Sequence, residues 1–267
     1  MTTKKIEVSI GLEELVAAMA ATGHKEEARG ILVGAYGTLS ADQESGRLIA
    51  ANHSLLARGL SKYADQKIEI GAEMQTIING MLTSKATLRA GKSGPAGEEI
   101  LSFYPQQSGW MKHQVSLSVV HHFCLPLSKE DLGGELSSFF AGISGKKTSP
   151  IEISLPASLM TDLAAQGRRS FEAILEYLKA NAAADTGAGL PIFAEDFLNN
   201  QWRGSLVWIE RSSQDSLAMK GALLLQGAHR LWVVQSGQGG TEAAKMKARL
   251  LSSSEFLDWV HAFLSGL

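Results

Sequence analysis

"SSSEFLDWVHAFLSGL" (252–267) closes the chain, and "SKEDLGGELSSFFAGI" (128–143) carries the same pattern halfway along it. At a constant offset of 124 residues, Ser128 meets Ser252, Leu132 meets Phe256, Leu136 meets Val260, Phe139 meets Phe263, Phe140 meets Leu264 and Ile143 meets Leu267. Steps of three and four residues put these side chains on one helical stripe, the face that docks on a core. Each stretch also opens as a capping box, Ser128 with Asp131 and Ser252 with Glu255, in which hydroxyl and carboxylate satisfy orphaned backbone N–H groups.

A second correspondence lies at the start of each half. "IEVSIGLEELVAAMAATG" (6–23) aligns with "IEISLPASLMTDLAAQG" (151–167), so that Ile6, Glu7, Val8 and Ser9 meet Ile151, Glu152, Ile153 and Ser154 at an offset of 145. Leu15 and Ala18 then meet Met160 and Leu163, and a short β-branched strand runs into a helix both times. The offsets differ by 21 residues, so the second copy is shorter in its middle. A period this long means a duplicated domain rather than a solenoid.

The coarse reading of each half follows the same order. The first runs strand 5–9, helix 11–36 interrupted near Thr22 and Gly23, and a helical stretch over 42–60 with Leu48, Asn52, Leu55, Leu56 and Leu60 on one stripe. A helix over 68–82 comes next, from the placement of Met74, Ile77, Ile78, Met81 and Leu82. The period then changes to two in "KATLRAG", "EILSFYP", "GWMKHQVSL" and "SVVHHFCLPL", separated by the turn signals "GKSGPAG" and "PQQSG". Loops this short join antiparallel neighbours.

"SGKKTSPIE" (144–152) reads as the linker. The second half has strand 151–155, helix 157–180, an Ala/Gly-rich loop over 180–191 and a short helix in "IFAEDFLNNQ". Strands follow in "RGSLVWIER", "LAMKGALLLQ", "HRLWVVQS" and "AAKMKARLL", where Ala244, Met246, Ala248 and Leu250 share a face, and then the closing helix. The expected class is α+β, internally duplicated and quasi-twofold, with copies at 1–145 and 150–267 sharing one core.

Composition narrows the function. A chain of 267 residues with 45% hydrophobic and 19% charged residues folds as an ordinary globular protein. A formal charge of −2 and a pI near 6.4 give no basic footprint for nucleic acid. The single cysteine, Cys124, forms no intrachain disulfide, and the first residues lack an apolar signal-peptide core; both fit a cytoplasmic protein. No run of 18 apolar residues spans a membrane.

The scan for chemistry returns structural readings. "GKSG" (91–94) lacks the first glycine of a phosphate loop, since Ala86 stands there, and it reads as a turn between strands. "SGQGGT" (236–241) lacks the dinucleotide spacing and reads as a hairpin loop. In "VVHHFCLP" (119–126), alternation puts His122 and Cys124 on one face and His121 on the other, with His113 as a third ligand candidate from the next strand. Two residues in line are too few for zinc, and a packed thiol is the simpler account. No nucleophile motif or distinctive carboxylate pair occurs; Glu7 and Glu152 recur at equivalent points, which suits a structural role better than one asymmetric catalytic site. The candidate contact surface is the polar loop "YPQQSG" with its flanking aromatics, namely Tyr104, Gln106, Gln107 and Trp110.

The repeated unit, with its helix ending in Ala57, Arg58, Gly59 and Leu60 and its closing hairpin, strand and Ser-led helix over 216–267, resembles the EspG family of type VII secretion chaperones. That resemblance implies a cytoplasmic, non-catalytic protein of quasi-twofold fold that binds helical PE/PPE-type secretion substrates at an exposed tip, without a cofactor. The expectation is therefore a protein-binding scaffold or chaperone, with homo-oligomerisation left open. One alternative is a metal- or small-molecule-dependent enzyme using His113, His122 and Cys124 between the halves; another is a winged-helix regulator whose helix 42–60 carries Arg47 and Arg58, with Lys62 beyond.

Overall fold

A computed structural model describes residues 5–140, 151–156, 158, 170–182, 187–211, 216–236 and 245–267. The expected linker, the loop at 237–241, Ile143, Ala244 and most of the expected helix 157–180 lie outside the described residues. The elements in chain order are β1 (Ile6–Gly11), α1 (Leu12–Ala21), α2 (Lys25–Tyr36), α3 (Ala41–Ala57), β2 (Ser61–Ala64), β3 (Lys67–Ile70), α4 (Ala72–Thr83), β4 (Ala86–Gly94), β5 (Gly97–Gln106), β6 (Gly109–Ser116), β7 (Val120–Leu127) and α5 (Lys129–Phe139). They continue as β8 (Ile151–Pro156), α6 (Phe171–Asn181), α7 (Gly189–Leu198), β9 (Trp202–Arg211), β10 (Leu217–Gln226), β11 (Leu231–Ser236), β12 (Lys245–Leu251) and α8 (Ser253–Ser265).

The class is α+β. Ten strands form an antiparallel sheet in the order β1-β7-β6-β5-β4-β9-β10-β11-β12-β8, and β2 and β3 form a separate hairpin. The order is mirrored about β4 and β9. In each half the first strand pairs with the last strand of the meander, Val8 opposite Phe123 in β1 and β7, and Ile153 opposite Ala248 in β8 and β12.

Two local expectations change. Ile68–Ile70, read as the start of a helix, forms β3, because Asp65 and Gln66 adopt positive φ and close a two-residue hairpin turn. Asp tolerates that conformation, but neither residue is the glycine that flags such a turn in sequence. "GKSG" is not a turn either; it extends β4, and the reversal falls on Pro95 and Ala96.

The chain divides into two compact units, one of residues 1–87, 101–129 and 210–214, the other of 88–100, 130–209 and 215–267. In the first, α1 is buried over most of its surface through Leu12, Leu15, Val16 and Met19, and α2, α3 and α4 add Leu32, Leu55, Met74 and Ile77. Val8, Ile10, Met111, Phe123 and Leu125 supply the sheet side of this core. Gly11 N–H donates to Glu14 Oε2 at 2.7 Å, and Ser40 and Gln43 cap α3 reciprocally at 3.3 and 3.0 Å.

In the second unit, α6 and α7 lay Ile174, Leu178, Leu190, Phe193 and Phe197 on one side of the sheet, against Ile153, Leu155, Leu225, Trp232, Val234, Ala248 and Leu250. The two matched helices occupy the other side. Leu132, Leu136 and Phe139 of α5 with Phe140 just beyond it, and Phe256, Val260, Phe263 and Leu264 of α8, are buried, whereas Leu267, the last residue expected on the stripe, is 37% exposed past the end of α8. Gly133 lets the helices approach, since a Cβ there would stand 2.9 Å from His261 Cε1. Phe140 stacks on Trp202 at 5.6 Å and meets Phe256 edge-on at 5.9 Å. The Ser252 and Glu255 capping box forms at 2.8 and 3.4 Å. No helix among the described residues is long and apolar enough to cross a membrane.

Candidate functional site

The β5–β6 hairpin carries the four residues of the expected contact surface. Its turn needs Gly109, whose φ is +132° and where a Cβ would lie 2.5 Å from Leu127 O. Gln107 is exposed beside it, and Trp110 is half-buried. Tyr104 packs against the core of the first unit, and Gln106 turns back to donate from Nε2 to Gly80 O at 3.1 Å. The hairpin therefore presents Gln107 and part of Trp110, while Tyr104 and Gln106 hold it in place. In the neighbouring β6–β7 turn, Leu117 has positive φ and is 88% exposed, a loop-tip apolar group that the sequence reading missed. It lies at a turn where no hydrophobic period marks it.

The histidines divide by strand alternation. His113 Nε2 lies 2.9 Å from His121 Nδ1, and the His113 ring stacks on Phe123 at 4.4 Å. Burial, reinforced by the neighbouring His121 and His122, drives the His113 pKa down to about 3, and burial also lowers that of His121. Both rings are neutral at pH 7. On the opposite face, His122 Nδ1 meets Ser9 Oγ at 2.8 Å, and Cys124 Sγ lies 3.7 Å from Glu7 Oε1. Burial raises the Cys124 thiol, which keeps it protonated and a poor nucleophile. His113 thus joins His121, not His122 and Cys124, because residues opposite each other in β6 and β7 share a face. Among the described residues no group of three or more His, Cys, Asp or Glu could hold a metal ion.

The cations offered for nucleic acid have intramolecular partners. Arg47 Nη1 reaches Glu13 Oε1 at 2.8 Å and its guanidinium lies 4.1 Å from the centre of the Tyr36 ring, while Lys62 pairs with Glu69 at 2.8 Å. Arg58 Nη1 donates to Glu14 Oε2 at 2.8 Å, and Nη2 donates to Ser9 O. Ala57 to Leu60 is accordingly a helix terminus with an anchor. Gly59 takes φ +69°, Leu60 N–H returns to Leu55 O at 3.0 Å, and Arg58 ties α3 to α1 and β1.

Burial alone would raise the Glu14 carboxyl, but hydrogen bonds from Ser54, Gly11 and Arg58 outweigh it and hold the group below its ordinary range. Glu14→Ala leaves those three donors without their acceptor, and we expect it to destabilise the protein by about 3 kcal/mol. Glu14→Gln, which keeps the shape, should cost roughly half as much. The urea midpoint at an unchanged m-value measures both; a shift equivalent to under about 0.5 kcal/mol for the alanine variant would show that the cluster is ornamental.

In the second unit the largest exposed apolar groups lie along β10. Leu217 and Met219 are 61% and 70% exposed, and Leu223 is 36% exposed. Lys220, between them, points the other way, with Nζ 5.6 Å from the centre of the Phe263 ring on α8. The three apolar side chains thus share the side that α6 and α7 cover farther along the strand, at Leu225.

The family described as "Uncharacterised protein YfjC" matches residues 5–247. Among solved structures, the Mycobacterium tuberculosis type VII secretion system chaperone EspG5, in complex with a PE25–PPE41 dimer, is similar with a TM-score of 0.64. The likeness covers 94% of this chain and 93% of that one at 7% sequence identity, so it carries the fold alone. The comparison with curated proteins gives no match.

Proposed function

We propose that this chain, which belongs to the YfjC family, is a non-catalytic protein-binding scaffold that works as a chaperone. The observation that carries the reading is the row of exposed apolar side chains on β10, which a soluble protein tolerates best where another protein covers it. The fold shared with EspG5, described as a chaperone in complex with a PE25–PPE41 dimer, supports the same reading. In this proposal the client is a helical secreted protein, held soluble in the cytoplasm before export. The β5–β6 tip, with Gln107 and Trp110 outermost and Tyr104 and Gln106 as its supports, forms part of the contact surface. The halves 1–145 and 150–267 descend from one duplicated unit, a reading supported by the mirrored strand order and the matched buried stripes of α5 and α8.

The full chain, immobilised and exposed to a lysate of its native host, should retain a protein in near-stoichiometric amount. Trp110→Ala combined with Gln107→Asp should reduce that amount severalfold while leaving the far-UV circular dichroism unchanged. If nothing is held above a mock surface across a range of salt concentrations, the reading fails.

A further inference from the structure

Two observations limit what can occupy the open side of β10. The strand lies inside the sheet between β9 and β11 and is paired with β11 over Leu223–Gln226, and the exposed side chains project from the face of the sheet, where a strand added in its plane would leave them uncovered. An occupant must lie on the face and satisfy its own backbone hydrogen bonds, as a helix does. The exposed row from Leu217 to Leu223 spans six residue steps, roughly 20 Å, which matches about 13 residues of helix.

The same side is cationic. Gly221 marks its floor, because a Cβ there would meet Val207 Cγ2 at 3.1 Å, so Val207 and the half-buried Ile209 of β9 extend the apolar surface. Arg203 belongs to this side as well, its guanidinium lying 4.3 Å from the centre of the Phe197 ring of α7. Its Nε is buried without a hydrogen-bond partner among the described residues. Gly91 faces Ser205 Oγ at 3.7 Å, which sets the exposed Arg89, two residues earlier on β4, on that side too. Against these two cations, alternation places one carboxylate, Glu98 at the start of β5, on this side; its neighbour Glu99 turns away to pair with Lys92 at 3.1 Å.

We propose that the open face of β4, β9 and β10 in the second unit, built on Leu217, Met219, Leu223 and Val207 and flanked by Arg89 and Arg203, receives an acidic amphipathic helix of a partner protein. The inference rests on the protein-binding reading above and adds the surface and the partner's chemistry. Apolar residues at i, i+3, i+4 and i+7 of the incoming helix lie on the row, and carboxylates on its flanks meet the guanidiniums.

The probe is a fluorescent 14-residue helical peptide with leucines at that spacing and glutamates on both flanks, titrated into the full chain by anisotropy. The wild-type chain should bind it at least tenfold more tightly than Met219→Asp does, and at least tenfold more tightly than it binds the same peptide with lysines replacing the glutamates. Arg89→Glu should narrow or reverse that preference. Both substitutions are at exposed positions, and unchanged melting curves verify the fold. Equal affinity across these pairs overturns the proposal, as does a wild-type dimer that Met219→Asp converts to monomer, since a second copy would then be the occupant. Lysate capture separates the two readings: a partner retained equally by the wild type and Met219→Asp removes this surface and leaves the protein-binding function standing, whereas no capture by the wild type removes both.

Discussion

Replacing Asp196 with alanine is expected to cost about 3–5 kcal/mol of folding stability. The carboxylate is 2% exposed and accepts from Arg230 Nε at 2.8 Å and from Trp232 Nε1 at 2.9 Å, while Arg230 Nη2 also reaches Glu195 at 2.6 Å. It fixes α7 to β11, and Trp232 is fully buried at the centre of the second core, edge-on to Phe193 at 5.1 Å. Truncation leaves an indole N–H and a guanidinium short of their acceptor, and it opens a void beneath the turn at Gly227, where the missing Cβ makes room for the Asp196 carboxylate. Asp196→Asn, which keeps an acceptor, should lose about half as much. The double variant Asp196→Ala with Arg230→Met should recover part of the loss, because the unpaired charge is then gone. Urea titration followed by near-UV circular dichroism reads all three. A loss below about 1 kcal/mol for Asp196→Ala would remove this cluster from the account of the second unit.

The second large effect is on pH. His113 binds its proton near pH 6.5 when unfolded and only near pH 3 in the folded protein, so between those values the unfolded chain holds more protons. The stability this lends is complete above pH 6.5 and falls as the pH drops towards 3. For His113 alone the loss is about 1 kcal/mol between pH 7 and 5.5, and about 3 kcal/mol by pH 4. His121 acts in the same direction, its pKa being lowered by burial as well. Glu13, Glu14 and Glu152 sit below their ordinary range, so their contribution disappears only at lower pH and does not contaminate the upper window. His113→Phe, which suits the stack on Phe123, should flatten the slope between pH 7 and 5.5 by about 0.6 of a proton on average. Parallel slopes in the two proteins would show that His113 is not the group responsible.

Much of the fold was legible in the chain. The break at Thr22 and Gly23, the stripe of α3, the four strands of the first meander and the box at Ser252 all stand where periodicity and capping put them. The division of His121 from His122 and Cys124 followed from alternation alone. The β2–β3 hairpin did not, since Asp65 and Gln66 give a weaker turn signal than glycine. Of the candidate site, Gln107 at a loop tip was readable from its turn residues. Tyr104 and Gln106 went inward because α4 and His113 offer them partners, which no local pattern records.

The sequence by itself determined the order of most helices and strands and which of their faces are apolar, because those depend on neighbours within four residues along the chain. Only the tertiary structure decided that β1 pairs with β7 and β8 with β12, that Arg58 belongs to Glu14, and that Met219 stays in water while Leu225, six residues on and on the same side, is buried. The reason is physical: an alternating strand specifies two faces, but the helices that arrive from distant parts of the chain choose how much of each face is covered.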